Sequence, residues 1–84
     1  MDFWSAYRTL RKKHRAEEIA VGIDASVFTV LAWDMTANGS KDVDHVRNPG
    51  KANRLRLSRF AAQSGQPARV VDALLPDSPV EARQ

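Results

Sequence analysis

A chain of 84 residues with thirteen Lys and Arg against ten Asp and Glu carries a net charge of +3. At this length it makes one small domain that buries only about 60–65% of its unfolded surface, so its stability is modest or drawn from a partner. Without cysteine it holds neither a disulfide nor a thiolate metal site, and His14 and His45 stand too far apart for ligand spacing.

The first predicted element is a helix from Asp2 to about Glu18. Phe3, Tyr7, Leu10 and His14 fall on one stripe at a period of 3.6, and Asp2 is placed to cap its start. Trp4 stands off that stripe, where it meets a second element or a partner. The remaining faces are basic, with Arg8, Arg11, Lys12, Lys13 and Arg15 forming one cluster. The N-terminus lacks the basic, apolar, small order of a signal peptide, and a cytoplasmic location is expected.

From Ile19 to Trp33 the chain is apolar apart from one charge, Asp24. The run is interrupted and too short for a bilayer span of about 20 residues, so no membrane partner is expected. Its Val, Ile, Phe, Thr and Trp suit strands, and an interior Gly22 costs a helix about 1 kcal/mol. Read this way, strands at 19–24 and 27–35 flank a break at Asp24-Ala25-Ser26. Asn38-Gly39 is a hairpin turn signal, and a third, outer strand follows at 40–47 with Val43 and Val46.

Pro49-Gly50 breaks the chain. A helix is predicted from about Lys51 to Ser64, stopped by Gly65; Leu57, Phe60 and Ala61 share one face, and Leu55 lies on the other. Arg47, Lys51, Arg54, Arg56 and Arg59 form the second basic cluster. Arg69 to Leu75 reads as a buried strand or as a short helix begun by Pro67. Residues 1–75 make the domain, and 76–84 a flexible tail. The fold expected is α+β: helix, three-stranded antiparallel meander, helix, then a short strand or helix. The alternative is an all-α domain of five helices.

Two basic clusters separated by Asp24, Asp34, Asp42 and Asp44 suit a polyanion, because releasing counterions from phosphates rewards clustered cations. The candidate nucleic-acid contacts are therefore Arg8, Arg11, Lys12, Lys13, Arg15, Arg47, Lys51, Arg54, Arg56 and Arg59. The plainer reading is two solvated helix faces.

Val21-Gly22-Ile23-Asp24-Ala25-Ser26 resembles the opening of RuvC-like (DEDD) insertion-sequence transposases, which have a ribonuclease-H-like fold. Ala37-Asn38-Gly39 matches that family's turn after the second strand, and His45-Val46-Arg47-Asn48 the end of its third. The resemblance implies that Asp24 and a later acid, Asp72, help hold Mg²⁺ for two-metal phosphoryl chemistry. The chain departs from the pattern at Val27, where the family commonly has Lys, and at Asp72, where it has Glu. The remaining acids of such a site would lie beyond residue 84, so no catalysis and no resident cofactor are expected, with Mg²⁺ as the one candidate. For Asp24 the plainer reading is a turn residue bonding nearby N–H groups; for Asp72, a solvated helix position.

The same letters also resemble the helix-turn-helix of Cro/CI-type repressors. That resemblance implies that Ala20 sits where two helices cross and that Ile19, Ile23, Val30 and Trp33 are core. Asp24 would replace the usual turn Gly, and Ser26 would cap the recognition helix. The exposed positions of that helix would be Val27, Phe28, Leu31 and Ala32, leaving hydrogen-bond readout to Ser26 and Thr29.

The first functional reading is thus a small non-catalytic nucleic-acid accessory of a phage or mobile element, like half of a RuvC-like fold. The second is a DNA-binding repressor. The third is a module or inhibitor that docks on a protein or a host nucleoprotein complex, or pairs with itself, using Phe3, Trp4, Phe28 and Trp33 as anchors; against it, Phe28 and Trp33 are core.

Overall fold

The computed structural model describes residues 1–39 and 48–76. Among these the chain is all-helical: α1 (Phe3–Lys13), α2 (Ala16–Gly22), α3 (Val27–Ala37), α4 (Lys51–Gln63) and α5 (Ala68–Leu74). The α+β expectation is overturned. The segments read as strands at 19–24 and 27–35 are α2 with its turn and α3, and no strand occurs among the described residues. The third expected strand, 40–47, and nearly all of the expected tail, 76–84, lie outside them. The five-helix alternative is the architecture found.

The physical reason lies in the helix ends. Asp2 accepts the Ser5 N–H at 2.8 Å and starts α1. Arg11, Lys12 and Lys13 occupy the last turn of α1, where cations favour the negative end of the helix dipole. The single helix expected over 2–18 is two. His14 and Arg15 take extended conformations, and Glu18 accepts the Arg15 backbone N–H at 3.3 Å, restarting the chain as α2. Hydrogen bonds from His14 and from that N–H hold the Glu18 carboxyl below its usual range.

Asp24 is explained by the end of α2. It has φ +56°, the left-handed conformation that normally selects glycine. Its N–H donates to the Val21 carbonyl at 3.3 Å and the Ala25 N–H donates to the Ala20 carbonyl at 2.9 Å, the paired bonds of a Schellman stop. The same device closes α4, with Gly65 at φ +85° and the Gln66 N–H donating to the Ala61 carbonyl at 3.0 Å. Asp is among the few non-glycine residues that tolerate this conformation. The lone carboxylate of the apolar run is therefore a helix terminator. Two residues later Ser26 accepts the Phe28 N–H at 3.1 Å and begins α3.

The core fills the space between all five helices. Tyr7, Leu10, Ile19, Ile23, Val30, Trp33, Leu57, Val70 and Leu74 are the largest fully buried side chains. Helix α5 packs against α1 and α4, α3 packs against α2 and touches α1, and α2 meets α4. The α2–α4 approach is close: a Cβ at Gly22 would overlap the Phe60 ring. Gly22 thus serves packing, which outweighs its cost to helix propensity. Ser58 is buried and donates to the Val71 carbonyl at 2.8 Å, joining α4 to α5.

Candidate nucleic-acid interface

Helix α2, the turn Ile23–Ser26 and helix α3 pack as one unit. Its inner side is Ile19, Ala20, Ile23, Val30 and Trp33, all buried. Trp33 stands edge-on to the Tyr7 ring at 6.3 Å between centroids. A hydrogen-bond network fixes α3 to α1. Arg11 makes a two-pronged pair with Asp34, at 3.0 Å from Nε to Oδ1 and 2.9 Å from Nη2 to Oδ2. The Tyr7 hydroxyl lies 2.6 Å from Asp34 Oδ1 and 3.0 Å from the Val30 carbonyl. Burial, followed by the Asp34 hydrogen bond and charge, pushes the Tyr7 phenol far above its ordinary range.

The outer side of α3 is apolar. Phe28 is 78% exposed, Leu31 42% and Met35 39%, and Val21 at the end of α2 is 84% exposed. Phe28, Leu31 and Met35 recur at i, i+3 and i+7, so they line one helix face, opposite buried Val30, Trp33 and Ala37. Met35 escaped the sequence reading, although this spacing is the signal that finds it.

The ten candidate cations divide by their contacts. Three are engaged within the fold. Arg8 donates to the Ala37 carbonyl at 3.1 and 2.6 Å and closes the C-terminus of α3. Arg11 pairs with Asp34. Arg54 lies 4.4 Å from the Phe3 ring centroid and donates to the Ala73 and Leu74 carbonyls at the end of α5, both at 3.3 Å. Lys12, Lys13, Arg15, Lys51, Arg56 and Arg59 are exposed. Arg47 lies outside the described residues. Arg56 and Arg59 share a cleft with Gly22, Asp24 and Phe60 at the turn before α3. Lys12 joins Arg8, Arg11, Asp34 and Asn38 in a second cleft at the far end of α3. Positive side chains therefore stand at both ends of the apolar helix.

Of the four aromatic anchors, Phe3 and Trp33 are buried, Trp4 is half-buried against the core, and Phe28 stands in solvent. Trp4 meets Phe3 and Tyr7 edge-on at 4.9 and 5.6 Å. Asp24 and Asp72 are exposed on separate elements, and among the described residues no group of three His, Asp or Glu side chains is placed to hold a metal ion. The strand that would have aimed Asp24 at a cation is a helix end. No described helix is long and apolar enough to cross a membrane.

No family model matches the chain, and comparisons with curated proteins and with solved structures give no match either.

Proposed function

We propose that this chain is a non-catalytic DNA-binding protein of the helix-turn-helix kind, placing α3 in the major groove in the manner of a Cro/CI-type repressor. The observation that carries this reading is the α2–α3 unit: a short helix, a turn held by a left-handed Asp24, and a second helix capped by Ser26 that presents its far face to solvent. An 11-residue helix is about 16 Å long, a size that a groove about 12 Å wide accepts. Cations at both ends of α3 suit the phosphates that border the groove.

Salt dependence tests the reading. With about five of the exposed cations engaged, affinity for mixed-sequence duplex falls by about 10²–10³-fold between roughly 50 and 200 mM salt. Replacing Arg56 and Arg59 together by Gln lowers the slope of log affinity against log salt by about 2. Fluorescence anisotropy checks both values, and an absence of binding at low salt rejects the reading.

A second reading has its own observation, the solvent-facing row of Val21, Phe28, Leu31 and Met35. Apolar patches of this kind also mark protein partners. In that reading a partner covers α3 and nucleic acid does not compete for it.

A further inference from the structure

Resting on the DNA-binding reading, we infer that α3 reads the C5-methyl groups of thymine through an apolar face, in place of hydrogen bonds to base edges. A groove-facing helix meets two kinds of chemistry, donors and acceptors on every base pair and a methyl group on thymine alone. The outer face of α3 has little to offer the first. Phe28, Leu31 and Met35 carry no donor or strong acceptor, and Ala32 and Val27 beside them carry none. Ser26 accepts the Phe28 N–H, and its exposed hydroxyl keeps one donor at the very start of the helix. The Thr36 hydroxyl donates back to the Ala32 carbonyl at 3.3 Å. Thr29, half-buried at the flank, is the one further hydroxyl near the start of the helix. Setting this face against any base pair strips water from polar edges without replacing its bonds, which is unfavourable, and thymine alone offers a methyl to offset that cost. Setting it against thymine methyls removes apolar surface from water on both sides.

Charge selects DNA as the occupant. Arg56 and Arg59 stand at the turn before α3, and Lys12 stands by its last turn, so cations lie near both ends of the apolar strip, which suits phosphates. Asp34, the acid on this helix, is held by Arg11 and Tyr7.

The test compares an alternating deoxyadenosine–thymidine duplex with its deoxyadenosine–deoxyuridine counterpart. The two share phosphates and hydrogen-bonding edges and differ by the major-groove methyl. The whole chain is expected to bind the thymine duplex on the order of tenfold more tightly. Phe28→Ala, at an exposed position outside the core, weakens the thymine duplex more than the uracil duplex and so lowers the ratio. Arg59→Gln weakens both duplexes and keeps the ratio. Equal affinity for both duplexes overturns methyl readout and leaves DNA binding standing. Binding to neither duplex at low salt overturns both proposals. Loss of the ratio with Arg59→Gln but not with Phe28→Ala assigns discrimination away from α3 and also overturns it.

Discussion

Replacing Trp33 with alanine is expected to destabilise the protein by about 3–5 kcal/mol, the range for deleting a buried aromatic side chain. Trp33 is 2% exposed and packs edge-on to Tyr7 at the meeting of α1 and α3. It is the largest of the fully buried side chains, and its removal leaves a cavity in the core. A domain of 84 residues has a total stability of roughly 4–13 kcal/mol, so the variant loses a large share of it. Urea unfolding followed by far-ultraviolet circular dichroism measures the effect as a lower midpoint. A loss below about 1 kcal/mol would place Trp33 at the surface and return it to the list of docking anchors.

Asp34→Ala is expected to cost about 2 kcal/mol. The carboxylate receives two bonds from Arg11 and lies 2.6 Å from the Tyr7 hydroxyl. Charge-assisted bonds are worth more than neutral ones, but the Arg11 and Asp34 side chains are 27% and 20% exposed, so solvent screens part of the gain. Removal leaves the buried Tyr7 hydroxyl with the Val30 carbonyl alone. Asp34→Asn keeps an acceptor for Tyr7 and removes the charge, and about half the loss is expected. Both variants loosen α3 from α1, so amide exchange in α3 should quicken in the same order. A full-strength Asp34→Ala with unchanged exchange would show that apolar packing alone seats the helix.

The sequence reveals α1 and α4, leaves α5 open between strand and helix, and makes α3 and the end of α2 look like strands. In α1, the stripe of Phe3, Tyr7 and Leu10 among basic residues marks the helix, and Asp2 marks its start. In α4, Leu57 and Ala61 are buried, Leu55 is exposed, and Gly65 ends the helix as expected. The break at His14 is harder to see, because the restart of α2 depends on a bond from Glu18 back to Arg15. Helix α3 is apolar on both faces: Val30, Trp33 and Ala37 inside, Phe28, Leu31 and Met35 outside. With both faces apolar the period of 3.6 fades, and β-branched and aromatic residues then favour a strand reading. Two local signs point the other way, Ser26 as a cap and Asp24 as a glycine substitute, and both act through backbone geometry that residue composition does not display. The roles of Arg8, Arg11 and Arg54 are likewise invisible in a count of charges. Each closes a helix end, holds a carboxylate or covers a ring, contacts made across the fold between residues 19 or more positions apart.

The most direct measurement is a titration of the isotopically labelled protein with duplex DNA, followed by backbone amide resonances. The helix-turn-helix account predicts salt-sensitive shifts concentrated in Ser26–Met35 and around Arg56 and Arg59, with α5 unmoved. Shifts centred on α5, or none at low salt, would contradict it.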